Sequence, residues 1–184
     1  MSVLLTPEDI SKALIRIAHE IIENNRSCRS IVLIGLRTRG VPLAHRLALL
    51  IHKFEGVVTI VGDLDFWGYR DDINYNTNPA NSKLYSNISI QINDSVVILV
   101  DDVLSTGRSI RAAMDALVHI GRPKCIQLAV LIDRGHREMP IKADYVGKNI
   151  PSSKSERIQV KLTEIDNLDS VIIVPNIEKR PSGK

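Results

Sequence analysis

Residues 97–111 read VILVDDVLSTGRSIR. The apolar, β-branched run up to Val100 has the length and composition of a buried strand, and the pattern after Gly107 turns helical. Between them stand two adjacent carboxylates, Asp101 and Asp102, then the hydroxyls of Ser105, Thr106 and Ser109 around one glycine. Two aspartates at the tip of a buried strand, directly before a glycine loop, need a chemical reason.

The flanking sequence repeats the same unit. Strand-like runs occur at 30–36 (SIVLIGL), 57–66 (VVTIVGDLDF), 95–100 (SVVILV) and 125–132 (CIQLAVLI). Helical patterns at 41–54 and 109–121 link the first to the second and the third to the fourth. Ahead of them, residues 6–22 predict a helix: Thr6 as N-cap, Pro7 in the first turn, acids behind it, and Ile10, Leu14, Ile17 and Ile21 on one face. Alternating strands and helices predict an α/β fold with a mostly parallel central sheet flanked by helices. Two segments fall outside the alternation: the Asn-rich stretch 67–90 and the tail after Asp133. We expect one domain spanning residues 1–184.

Composition narrows the class. Hydrophobic residues make up 44% and charged residues 24%, with mean hydropathy +0.02, and no run approaches the ~20 apolar residues of a membrane helix. The N-terminus has no basic region or cleavage pattern of an export signal, so a soluble, cytoplasmic protein with no membrane contact is expected. Cys28 and Cys125 are isolated and are expected to be reduced, structural thiols. The net charge is only +3, but residues 134–161 carry seven Lys/Arg against three Asp/Glu, which makes that segment locally basic.

In an open parallel sheet, ligands bind beyond the carboxyl ends of the strands. Here those ends read GLRTRG (35–40), GDLDFWGYRDD (62–72), DDVLSTGRS (101–109) and DRGHRE (133–138). Gly107 permits a tight turn, the hydroxyls and the helix N-terminus suit a phosphate monoester, and the two carboxylates suit vicinal hydroxyls or Mg²⁺. A phosphorylated ribose matches both halves. No GxxxxGK[ST] nucleotide loop exists in the chain.

The 97–117 stretch resembles the phosphoribosyl pyrophosphate signature of type I phosphoribosyltransferases. Together with LIGLRTRGVPLAHRLA, GDLDFWGYRDD, VLIDRGHREMPIKADYVGKNIP and ALIRIAHEIIE, it resembles the PyrR family: regulators of pyrimidine operon attenuation that double as uracil phosphoribosyltransferases. The match runs from the first helix to about Lys161. The resemblance implies the type I fold with a small hood and a flexible lid loop over residues 67–90, with Tyr69 and Arg70 near its base.

Further implications are residue by residue. Asp101 and Asp102 would bind the ribose hydroxyls and Mg²⁺; Val103, Leu104, Ser105, Thr106, Gly107, Arg108 and Ser109 would wrap the 5′-phosphate. Arg37, Thr38, Arg39 and Gly40 resemble the pyrophosphate loop, and Asp133 and Arg134 stand where the base is read. Asp101, Asp102, Arg39 and Arg70 would carry catalysis. Ser105 lies where purine-specific relatives often carry a third acid, which favours a pyrimidine. The implied ligands are uracil, phosphoribosyl pyrophosphate and UMP or UTP, and the implied partner is the leader mRNA of the pyrimidine operon, met by Arg16, His19, His136, Arg137, Lys142 and Lys148. Ile15 and Asn24 depart from the pattern of RNA-binding members. A homodimer or higher homo-oligomer is expected. Three readings stay open: a bifunctional regulator and enzyme, a salvage enzyme with little RNA role, and a phosphoribosyltransferase for another base.

Overall fold

A computed structural model describes residues 2–28, 30–66, 69 and 91–175. Its elements in chain order are β1 (Ser2–Leu5), α1 (Pro7–Asn24), β2 (Ile31–Leu36), α2 (Gly40–Glu55), β3 (Ile60–Leu64), β4 (Val96–Leu104), α3 (Arg108–Ile120), β5 (Cys125–Asp133), β6 (Tyr145–Asn149), β7 (Glu156–Lys161), α4 (Thr163–Asp166) and β8 (Ser170–Pro175).

Five parallel strands form the central sheet in the order β3-β2-β4-β5-β6. The run at 95–100 becomes its middle strand, with β2 on one side and β5 on the other. Alternate residues serve opposite faces, as the pleat requires. Leu33, Ile98, Val100, Leu131 and Tyr145 join α1 and α2 in one core; Val32, Ile34, Val97, Leu99 and Val130 join α3 in the other. Strands buried on both faces are apolar throughout, which is why their sequences show runs rather than alternation.

α1 begins as its sequence predicts. Thr6 Oγ1 accepts the Asp9 N–H at 3.3 Å and Asp9 returns a bond to the Thr6 N–H at 3.0 Å, a reciprocal capping box. At the other end, buried Asn25 donates to Ile21 O at 2.9 Å and to Gln127 Oε1 at 3.0 Å, and Tyr145 OH donates to the same Gln127 oxygen at 2.9 Å. This polar cluster ties the helix end to β5 and β6.

The tail after Asp133 supplies β6 to the main sheet and then β7 and β8, which join β1 in a second, antiparallel sheet, β1-β8-β7, that with α4 forms the hood. Arg46 of α2 fastens the hood to the core. It donates to Glu164 through Nε and Nη2, both at 2.7 Å, and to Asp169 through Nη1 and Nη2 at 2.7 and 2.8 Å. Those bonds hold Asp169 down at about 2 and lower Glu164 as well.

Two boundaries differ from the sequence expectation. The strand expected at 57–66 is shorter, Ile60–Leu64, because Val57 and Val58 lie exposed beside the sheet edge. The strand expected at 95–100 runs on to Leu104, pairing Val103 with Ile132 and Leu104 with Asp133. The expected lid, 67–90, lies outside the described residues except for Tyr69, which packs against the α3-side core and contacts the His119 ring. No described helix is long and apolar enough to cross a membrane.

Candidate active site

Because β4 continues past the apolar run, Asp101 and Asp102 are strand residues and not loop residues. Asp101 Oδ1 accepts the N–H of Asp102, and Asp102 Oδ1 accepts the N–H of Val103, both at 2.9 Å. Among the described residues neither carboxylate has an ion-pair partner. Burial, reinforced by the charge of Asp102, holds Asp101 well above the usual carboxylate range. Burial also raises Asp102, opposed by the Val103 N–H and by the charge of Arg39. A pair of uncompensated acids on a rigid central strand is a costly arrangement unless a ligand supplies hydroxyl donors or a cation.

The turn that follows is shorter than the stretch expected to wrap a phosphate. Val103 and Leu104 remain in the sheet ladder, so the open turn is Ser105–Gly107, and α3 starts at Arg108. Gly107 has φ +89°, and a Cβ there would meet Met139 Cβ at 3.2 Å, so a side chain is opposed both by backbone conformation and by space. The 138–141 segment clasps the turn from outside: Thr106 O accepts the N–H groups of Glu138 at 2.9 Å and Met139 at 3.0 Å.

Arg137, which the resemblance places on the RNA face, completes the clasp. Its Nε donates to Ile141 O at 2.8 Å, Nη1 to Ser105 O at 2.8 Å and to Gly135 O at 3.2 Å, and Nη2 pairs with Asp133. The guanidinium is spent inside the protein, on the main chain of the turn. A pocket of about 400 Å³ opens beside it, lined by Ser105, Thr106, Arg134, His136, Arg137, Glu138 and Lys154. Asp133 and Arg134 leave the end of β5 as expected. Arg134, however, turns its Nη2 to the carbonyls of Ser153 (3.0 Å) and Glu156 (2.9 Å), so it props the segment between β6 and β7. His136 has φ +59° and its Nε2 lies 2.5 Å from Ser152 O.

On the other side of the acids, Arg37–Gly40 turns from β2 into α2, with a cis Arg37–Thr38 peptide. Gly40 is required by close approach: a Cβ would stand 2.2 Å from Val100 O, the residue before Asp101. Arg37 Nε donates to Asp63 at 2.8 Å, and Arg39 Nη2 donates to both oxygens of Asp166 at 3.0 and 3.2 Å. Asp63, Asp166 and Lys154 were not singled out by sequence reasoning, since each meets the site through a contact with no local signature. Arg70 lies outside the described residues.

The remaining basic residues do not form one patch. Arg16 donates to Glu20 at 3.0 Å and to Val146 O at 3.2 Å, and with Lys12 and Lys148 it lines a shallow pocket of about 370 Å³. His19 is exposed and stacks on Phe54, centroids 4.2 Å apart. Lys142 is exposed but follows Ile141, which packs on the α3-side core, whereas α1 covers the opposite face of the sheet. Ile15 is 37% exposed.

Known proteins resemble the chain in sequence and in fold. A family model described as "Phosphoribosyl transferase domain" matches residues 4–165. The "Bifunctional protein PyrR" of Alkaliphilus metalliredigens is 59% identical over 172 residues, covering 92% of this chain and 93% of that one. The protein of the same name from Bacillus subtilis is 52% identical over 176 residues, 95% and 97% of the two chains. Among solved structures, a hypoxanthine phosphoribosyltransferase of Trypanosoma cruzi superposes with a TM-score of 0.73 at 18% identity, covering 95% of this chain and 97% of that one, a likeness of fold. With a matched domain model over most of its length and relatives more than half identical throughout, the chain belongs to the phosphoribosyl transferase family, among its PyrR members.

Proposed function

We propose that the chain converts uracil and phosphoribosyl pyrophosphate to UMP and pyrophosphate, and that it regulates a pyrimidine operon by binding its leader mRNA in a manner set by UMP or UTP. The observation that carries the enzymatic half is the uncompensated acid pair Asp101–Asp102, one residue pair from a glycine turn on the same central strand.

In this reading the carboxylates accept hydrogen bonds from the ribose 2- and 3-hydroxyls, and Ser105, Thr106 and Gly107 with the first N–H groups of α3 hold the 5′-phosphate. Arg39 stabilises the departing pyrophosphate, and Arg37, Thr38 and Gly40 shape its loop. The C1–O bond to pyrophosphate breaks with its electron pair leaving on oxygen, the C1–N1 bond to uracil forms, and the N1 proton is lost. Charge develops on the sugar ring, so water must be excluded; closure by residues 67–90 with Arg70 belongs to this proposal. The two adjacent carboxylates, with phosphate oxygens of the substrate, are a donor set that fits Mg²⁺, and no cluster of three ligating side chains exists among the described residues, so the ion would be held jointly with substrate. When bound it would offset charge on the leaving group. Asp133, Arg134 and the neighbouring main chain read the base.

For RNA, Arg16 and Lys148, joined by Lys12, line one pocket on α1 and β6, with His19 one turn along α1 from Arg16; His136, Arg137 and Lys142 complete the proposed basic group. A cytoplasmic location and assembly into a homo-oligomer complete the proposal. The test uses two variants. Asp102→Asn should lower UMP formation by at least about a hundredfold with leader-RNA affinity retained. Arg16→Ala with Lys148→Ala should weaken RNA binding and reduce its salt dependence with UMP formation retained. Near-normal turnover in the first variant refutes the ribose site. A parent that makes UMP but binds no leader RNA leaves the salvage reading, which exposed Ile15 in the middle of α1 would then explain.

A further inference from the structure

Arg39 is held in an unusual way. Among the described residues only its Nη2 is engaged, by both oxygens of Asp166, while its Nε is buried with no hydrogen-bond partner there. A buried, unpaired donor on a cation is unfavourable unless a ligand accepts from it. Its partner is itself fixed. Asp166 Oδ2 accepts the Leu162 N–H at 3.0 Å, and the Asp166 N–H donates to Leu162 O at 2.7 Å, so the carboxylate is anchored to the hood main chain. The Leu162 N–H first, and Arg39 after it, hold the Asp166 carboxyl below its usual range. Arg39 also acts electrostatically on Asp102.

We propose that Asp166, a hood residue, is a positioning residue for Arg39: by occupying Nη2 it fixes the guanidinium plane, leaving the exposed part of a side chain that is 28% accessible to meet the pyrophosphate group. The proposal rests on the phosphoribosyltransferase reading above. It makes the hood, and not only the pyrophosphate loop, a determinant of leaving-group affinity. The opposite role, an acid that competes with the anion for Arg39, would require a carboxylate free to withdraw, whereas this one is tied to Leu162. It also predicts the opposite sign on removal.

The measurement uses the full chain with Mg²⁺ and compares Asp166→Asn with Asp169→Asn. The second loosens the Arg46 clamp of the hood without touching Arg39. Asp166→Asn should weaken calorimetric binding of inorganic pyrophosphate, and raise the KM for pyrophosphate in the reverse reaction with UMP, by about tenfold, with the KM for uracil in the forward reaction within about twofold. Asp169→Asn should lower the Tm and leave pyrophosphate affinity unchanged. Equal or tighter pyrophosphate binding in Asp166→Asn overturns the positioning role, as does an equal loss in Asp169→Asn, which would mean that hood looseness alone is responsible. A parent that forms no UMP overturns the transferase reading and this proposal with it; a parent that forms UMP, with pyrophosphate affinity unmoved in Asp166→Asn, overturns the positioning role alone.

Discussion

Replacing Arg137 by Ala tests whether the phosphate turn is held by that side chain. The guanidinium spans five partners: the carbonyls of Leu104, Ser105, Gly135 and Ile141 and the carboxylate of Asp133, and of the carbonyls Leu104 O has a second donor in the Arg134 N–H. Arg137 is 24% exposed and Asp133 16%, so the pair is mostly desolvated, and its removal leaves a charge and three carbonyls without their donor. Breaking a buried pair from one side costs about 3–5 kcal/mol; with a discount for the remaining solvent access we expect about 2–4 kcal/mol. For a chain of this size that is a fall in Tm of roughly 5–15 °C. Because Ser105 O is one of the orphaned groups, UMP affinity should drop at least about tenfold as the turn loosens. Arg137→Lys can retain the Asp133 pair but cannot reach three carbonyls from one ammonium, so it should fall between. Calorimetric unfolding, UMP titration and leader-RNA binding on the same preparations decide the matter. A Tm within about 2 °C of the parent with intact UMP affinity and lost RNA binding would refute the inward role and restore Arg137 to the RNA face.

Gly40→Ala places a methyl group 2.2 Å from Val100 O, so either α2 or β4 must shift; urea unfolding should show a loss of about 2–3 kcal/mol, and UMP formation should fall more than tenfold because the displaced residue adjoins Asp101. Gly56→Ala meets nothing within 4 Å and should cost only about 1 kcal/mol for its φ of +68°, with turnover intact. Acid should loosen the hood first. Asp169 is depressed from its ordinary 3.8 to about 2, so its contribution is complete above about pH 4 and is lost as pH falls toward 2. Stability measured by urea across that window should therefore slope less in Asp169→Asn than in the parent, and an identical slope would remove Asp169 from the account.

The parts of the fold that sequence displays are those written locally. The central strand and α3 are legible because an apolar run, a glycine and an amphipathic helix follow one another; α1 is legible because Thr6, Pro7 and Asp9 announce its start. The hood is not. β1 is four residues long, and its partner strand comes some 165 residues later, so nothing in Ser2–Leu5 marks it as paired. β4 hid its last four residues because two aspartates interrupt the apolar pattern, and β6 is a short edge strand with a glycine in it. The candidate site divides in the same way. Asp101, Asp102 and Gly107 could be found from their spacing. The partners of Arg37, Arg39 and Arg134 could not, since a sequence shows that an arginine is charged but not which distant carboxylate or carbonyl its guanidinium will meet. Arg137 shows the consequence most plainly: in a basic segment it reads as surface charge, and in the folded chain it is an internal brace.

The order of strands in the hood has a consequence for how the chain is made. β8 lies between β1 and β7, so β1 has no neighbour until β8, some 165 residues later, is synthesised. The parallel sheet is complete at Asn149, and α1 and α2 can already cover it. During that interval β1 has no edge to pair with, and Arg46 and Arg39 wait for Glu164, Asp166 and Asp169. A nascent chain stalled after β7 should thus present a protease-resistant core with a cleavable β1, and the leaving-group side of the site would be assembled only once α4 and β8 have emerged.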